Sequence, residues 1–284
     1  MENTWLSAHI FYNGHPHLLL NNLVSPLLER TGYSAFFIRY WENGPHIRLR
    51  MQVGIDELGR LKKLLTEHCN SFFAYYPALH RHDALQFIPY QPEVQRYGNL
   101  QSLPWAERQF VTSSVYVLQH LRNASSWDDS IALLHAIRLN MALLFALHEE
   151  PAFTLHCCRN FIKAWITRLF DPASDAKEQE RRYTALMQSR FEVHAATLTS
   201  ATARLWESME QEKAEPALQT FIYQNREIAA QYRKLGFDAN RYSGIIGSFM
   251  HMGHNRLGVS NLDEAYIMFF TLKCMERIYA HMGA

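Results

Sequence analysis

Ala35-Phe36-Phe37-Ile38-Arg39-Tyr40-Trp41, then Glu42-Asn43-Gly44-Pro45, then His46-Ile47-Arg48-Leu49-Arg50-Met51-Gln52-Val53: this stretch joins two runs of aromatic and β-branched residues through an Asn-Gly pair. Asn and Gly tolerate the positive φ that a tight reversal needs, so the pattern predicts two antiparallel strands. Upstream, residues 5–12 read as a strand, and residues 16–30, with Leu at 18, 19, 20, 23, 27 and 28, read as a helix that stops at Gly32. Downstream, Asp56 is placed to cap a helix running to about Phe72, with Leu58, Leu61, Leu64 and Leu65 on one face; residues 85–90 form a last short strand. The resulting order is βαββαβ, the split βαβ or ferredoxin-like arrangement. It predicts a mostly antiparallel sheet with helices on one face and the other face open to a site or partner.

Beyond Pro104 the texture changes. Helical spacing dominates, giving expected helices near 105–122, 128–148, 152–170, 176–211, 215–234, 241–256 and 262–281, broken at Ser125-Ser126, Pro151, Asp171-Pro172, Pro216, Gly236 and Gly258. Asn261 followed by Glu264 is a variant of the capping box and marks the start of the last helix. The expected fold class is therefore α+β: a ferredoxin-like sheet over residues 1–103 and a large helical bundle over 104–284, read as one domain of 1–284. Residues 173–182, charged on most sides, read as a solvated connecting helix.

Composition agrees with a packed chain. Of 284 residues, 48% are hydrophobic and 19% charged, which excludes disorder, and 28 Lys plus Arg against 27 Asp plus Glu leaves no bulk attraction for nucleic acid or an anionic membrane. Cys69, Cys157, Cys158 and Cys274 form no CxxC pair, which suggests a reducing compartment. The N-terminus carries no secretory signal pattern, and no apolar stretch is read as approaching the roughly 18 residues that span a bilayer. A soluble cytoplasmic protein is expected, and a homodimer is compatible with it.

Three constellations carry chemistry. In the strand after Pro45, Ile47, Leu49, Met51 and Val53 point one way while His46, Arg48, Arg50 and Gln52 point the other. Two guanidiniums about 7 Å apart on one face repel unless an anion or carboxylates lie between them; the plain reading is a solvated sheet face, the chemical one an anion pocket. Second, Tyr90-Gln91-Pro92-Glu93-Val94-Gln95-Arg96-Tyr97-Gly98 crowds polar groups at a strand end. Glu93 and Arg96 are spaced for a local ion pair, and the Tyr and Gly residues shape a loop. Third, His251 and Asn255 in Met250-His251-Met252-Gly253-His254-Asn255-Arg256-Leu257 share a helix face, and an imidazole suits proton transfer at neutral pH. His251-x-x-His254 lacks an HExxH pattern or a cysteine set, so no metal is expected. Dinucleotide, nucleotide-triphosphate and serine-hydrolase motifs are absent, and Ser113-Ser114 read as packing positions.

Taken in order, residues 36–50, the Glu93-x-x-Arg96-Tyr97-Gly98 loop and the His251-Met252-x-x-Asn255-Arg256-Leu257 segment resemble the elimination domain of class I lantibiotic dehydratases, also found as a separate thiopeptide-type bacteriocin biosynthesis protein. The resemblance covers nearly the whole chain. It implies a carbon–oxygen lyase that expels glutamate from glutamylated Ser or Thr of a precursor peptide, leaving dehydroalanine or dehydrobutyrine. It further implies a separate tRNA-dependent glutamylating subunit as partner, no direct nucleic-acid contact and no cofactor. By the resemblance His251, Arg50 and Arg96 are catalytic, and Arg48, Glu93, Asn255 and Arg256 bind substrate. One motif position departs: Asn99 stands where the family often has a second Gly. Two alternatives remain on this scaffold. One is a pyridine synthase that joins two dehydroalanines by a formal [4+2] cycloaddition. The other is a non-catalytic peptide-binding subunit that pairs a strand with the exposed sheet edge.

Overall fold

The computed structural model describes residues 3–77 and 83–282. The expected hairpin forms: β2 (Ala35–Tyr40) and β3 (His46–Gly54) pair antiparallel, the Gly44 amide donates to the Trp41 carbonyl at 3.0 Å, and Asn43 and Gly44 take φ of 63° and 108°. β1 (Asn3–Phe11) pairs with β3 and with the short β4 (Leu85–Phe87), giving the antiparallel order β2-β3-β1-β4 of the split βαβ arrangement. The first helix, α1, covers residues 16–31 with a π-turn at Leu20–Val24 and ends at Gly32 in the left-handed conformation. Asp56 lies in a 3₁₀ turn, Ile55–Glu57, and α2 (Leu58–Tyr75) starts behind Glu57 without a side-chain cap, so the expected Asp56 cap is replaced by that turn.

Alternation divides the sheet. Leu6, Ala8 and Ile10 of β1 and Ile47, Leu49, Met51 and Val53 of β3 are buried, and α2 packs against these two strands. Burying one side of a pleated sheet fixes its register, because a one-residue slip would turn every apolar side chain outward. α3 (Leu103–Asn123) runs alongside β2: Ser114 Oγ accepts from the Phe37 amide at 3.2 Å, Phe110 packs on Phe36, and Arg122 pairs with Glu29. The β2 edge is thus partly capped by a side chain. Ser113 donates to its own helix at Gln109, and both serines are packing residues.

The remaining helices are α4 (Asp129–Leu147), α5 (Pro151–Ile166), α6 (Ala176–Glu210), α7 (Pro216–Lys234), α8 (Ala239–Leu257) and α9 (Glu264–Met282). α4 packs against α7, α8 and α9. It is long and apolar enough, by length and composition, to cross a membrane, contrary to the sequence expectation. Most of its apolar residues, among them Ala136, Leu139, Met141 and Leu144, are instead buried in the bundle, while Leu134 is exposed: a central helix keeps little solvent face to make polar.

The chain separates into two compact units whose division differs from the change of texture at residue 104. One runs through Glu93 and takes in Glu107–Trp127; the other comprises Val94–Ala106 and everything from Asp128 onward.

Candidate active site

In the sheet unit, one face carries Trp5, Ser7, His9 and Phe11 from β1, His46, Arg48 and Arg50 from β3, and Phe36, Ile38 and Tyr40 from β2, in matched rows. The row Ser7–Arg50–Phe36 is the most informative. Arg50 is 6% exposed, and its Nε and Nη1, like Ser7 Oγ beside it, are buried with no hydrogen-bond partner among the described residues. Its guanidinium lies 5.4 Å from the Tyr90 ring centre and 5.9 Å from that of Phe36. Trp5 meets both rings edge-on and donates through Nε1 to Glu107 at 3.1 Å. Burial draws Arg50 down to about 10, and neighbouring Arg48 adds to the shift against an opposing pull from Tyr90. A guanidinium at that value is still a cation at neutral pH.

Arg48 stacks over the Tyr40 ring at 3.4 Å and donates from Nε to His46 Nε2 at 3.2 Å. His46 in turn donates from Nδ1 to the Gly44 carbonyl at 2.8 Å, so both its nitrogens are assigned in the neutral form. His9 stacks on His46, and burial, reinforced by Arg48, Arg50 and His46, lowers it to about 4. This face is a basic row on aromatic supports, with His9, His46 and Arg50 buried and Arg48 half-buried, whereas the simple reading of the sequence is a solvated one. Ser7 and His9 were missed; the alternation Trp5-Ser7-His9-Phe11 already put them on the arginine side.

In the helical unit, His251 lies in the C-terminal half of α8 and its ring packs on Trp165. Its Nδ1 donates to both oxygens of Glu264, at 2.9 and 3.0 Å. Glu264 also accepts from Nδ1 of His254 at 3.0 Å. Burial alone would push this carboxyl up, but the hydrogen bonds from the two imidazoles hold it below its ordinary value. Glu264 was read as a capping residue. Its side chain is 1% exposed and committed to the histidines, and the turn before α9 is closed instead by Ser260 and Asp263. A glutamate three residues after an asparagine carries the capping signal whichever way it points, so the sequence held no separate sign of this role.

Arg96 sits in a 3₁₀ turn, Val94–Tyr97, and donates from Nε to Ser248 Oγ at 3.4 Å. Ser248 precedes His251 by three residues on α8, so Arg96 and His251 are brought to the same helix face. The loop holding Arg96 is clamped: Arg241 donates to the Gln95 and Gly98 carbonyls, Tyr232 donates to the Tyr97 carbonyl at 2.9 Å, and Tyr97 stacks on Phe249. Asn99, the departure from the family pattern, accepts from the Gln101 and Ser102 amides at 2.9 and 3.0 Å and so caps the approach to α3. Asn255 is half-buried one turn after His251, and Glu93 is exposed at the end of the sheet unit. Arg256 is 0% exposed and donates to the Met252 carbonyl of its own helix at 2.9 Å. The expected substrate contact by Arg256 is therefore corrected: at this depth the side chain supports α8. Among the described residues no group of three or more His, Cys, Asp or Glu is placed to hold a metal ion.

No curated protein sequence matches the chain. Among solved structures the fold is similar to the pyridine synthase TbtD from thiomuracin biosynthesis, at 13% identity and a TM-score of 0.75 over 98% of this chain and 99% of that one. It is also similar to TsrL, at 15% identity and a TM-score of 0.67 over 98% and 96%. The tRNA dependent lantibiotic dehydratase MibB from Microbispora sp. 107891 matches at 20% identity and a TM-score of 0.63; the alignment covers 99% of this chain but 28% of that much longer one. The lantibiotic biosynthesis dehydratase C-terminal family matches residues 5–275, and the chain belongs to that family.

Proposed function

We propose that the protein is the eliminating component of a lantibiotic-type dehydratase, removing glutamate from glutamylated Ser or Thr side chains of a precursor peptide. His251 Nε2 takes the Cα proton; the C–H electron pair becomes the Cα=Cβ bond; the Cβ–O bond breaks, and glutamate departs through its γ-carboxylate or α-carboxylate with that bonding pair. Such a step needs a base, a cation for the enolate oxygen and a site for the leaving carboxylate. Arg50 and Arg96 supply the cations, Arg48 and Glu93 bind the glutamyl charges, and Asn255 holds the peptide. The observation that carries this reading is Arg50, a buried guanidinium whose Nε and Nη1 meet no acceptor among the described residues. Unpaired N–H groups on a buried guanidinium are suited to a carboxylate. A separate tRNA-dependent glutamylating protein makes the substrate, and both work in the cytoplasm.

The end-to-end likeness to a pyridine synthase supports a second reading, in which two dehydroalanines of one peptide are joined by a formal [4+2] cycloaddition. One experiment separates them. Purified protein is given a Glu-esterified precursor peptide, and its mass is followed. Loss of glutamate, abolished in His251→Ala, supports elimination; an unchanged mass there, with conversion of a peptide already bearing two dehydroalanines, supports cycloaddition. Binding of either peptide without conversion leaves a peptide-holding subunit.

A further inference from the structure

The hydrogen bonds behind His251 form a chain in which each proton can be assigned. Thr271 has a single hydroxyl proton, donated to the Ile267 carbonyl at 2.9 Å, so its oxygen accepts from Asn140 Nδ2 at 3.3 Å. That turns Asn140 Oδ1, an acceptor, toward His254 Nε2 at 3.1 Å. The other nitrogen of His254, Nδ1, faces Glu264 Oε2 at 3.0 Å. Acceptors thus stand at both ends of one imidazole. His254 and Thr271 are 0% exposed, Glu264 1% and Asn140 2%, so water is not at hand to relieve a mismatch. Around His254, α4 contributes Asn140, α5 contributes the Phe161 ring, and α9 contributes Thr271 and Glu264, the one charged group among these contacts.

We propose that His254 is a standing imidazolium, protonated on both nitrogens, whose charge cancels that of Glu264 and lets this carboxylate orient His251 with Nδ1 protonated and Nε2 bare. The inference rests on the elimination reading only where His251 is called the base; the proton arrangement stands apart from it. A bare buried carboxylate beside His251 would favour the imidazolium there and remove the lone pair a base needs. A carboxylate already neutralised by His254 keeps its directional hydrogen bond while losing most of that effect. Glu264, His254 and Asn140 are then positioning residues, and His251, 17% exposed at its side chain, is the one that meets substrate.

The test is nitrogen NMR of the intact chain labelled with ¹⁵N-histidine at neutral pH. His254 is assigned by its through-space contact with Phe161, and His251 by its contact with Trp165. The expected spectrum has both His254 nitrogens protonated and exchanging slowly, and His251 protonated on Nδ1 alone. An unprotonated nitrogen on His254, or a proton settled on Nε2 of His251, overturns the proposal. Glu264→Gln, nearly the same shape, is expected to leave His254 with one ring proton and His251 as a tautomer mixture, and to lower kcat on the order of 10²-fold with KM little changed. Wild-type turnover by Glu264→Gln, alongside an inactive His251→Ala, overturns the positioning role. A wild-type protein that never eliminates glutamate removes the functional reading and leaves the spectrum to decide the proton arrangement.

Discussion

Ser7 and Arg50 are register partners across β1 and β3, and Ser7 Oγ and Arg50 Nε and Nη1 are buried together without a hydrogen-bond partner among the described residues. Burying polar atoms unpaired costs about 1–3 kcal/mol each, and a guanidinium costs more. A fold that keeps such a group gains something other than stability from it, and a carboxylate ligand is the partner its unpaired N–H groups fit.

Arg50→Met therefore separates the two roles. The apolar side chain fills the aromatic surround of Trp5, Phe36 and Tyr90 without a charge to desolvate, so the melting temperature is expected to hold or rise. Conversion of the glutamylated peptide is expected to fall at least about 100-fold, in the range seen when a transition-state charge contact is removed. Thermal melts and peptide mass spectrometry on the same samples check both halves; a destabilised but active variant contradicts the assignment.

Acid should loosen the fold through two imidazoles, His9 on the sheet and His17 in α1. His9 is held at about 4 and His17 at about 3, both by burial first and then by neighbouring arginines and histidines. In the unfolded chain each takes a proton near pH 6.5, so the unfolded state binds more protons between that value and the folded ones. The stability they contribute is complete above about pH 6.5 and is lost as pH falls through about 4. His9→Asn is expected to flatten part of this slope in denaturant titrations run across that window, and an unchanged slope refutes it.

Gly98 is the position where the Arg96 loop demands glycine. Its φ is 114°, and an added Cβ would lie 2.5 Å from Ser102 Oγ and 2.6 Å from the Phe237 ring. Gly98→Ala is expected to cost about 1–3 kcal/mol in equilibrium unfolding and to lower turnover by displacing Arg96. Full stability in that variant would mean the loop does not need this conformation.

The thiols should be silent. All four cysteines are free and buried, and burial pushes Cys69 and Cys157 up to about 12, with Cys158 and Cys274 also raised. Since the thiolate is the reactive form, a thiol reagent should modify none of them in the native protein at neutral pH and all four after denaturation. Rapid native labelling of any one contradicts its burial.

The local arrangement was readable from residue order alone. An Asn-Gly reversal between two alternating runs sets a hairpin, leucines at helical spacing set α1 and α2, and proline and glycine punctuation placed the later helices within a few residues of their observed ends, because these are short-range steric and solvation preferences. What is absent from any local window is the company a side chain keeps. Glu264 carries the same letter whether it caps a helix or is drawn inward by two histidines from α8, and Arg256 looks like a surface cation until its helix is packed. Asn140, more than a hundred residues upstream, shows no sign of facing His254. Hydrogen-bond partnership and burial depend on contacts between distant segments, so periodicity could place these residues on a helix face and only the packed chain could decide what that face meets.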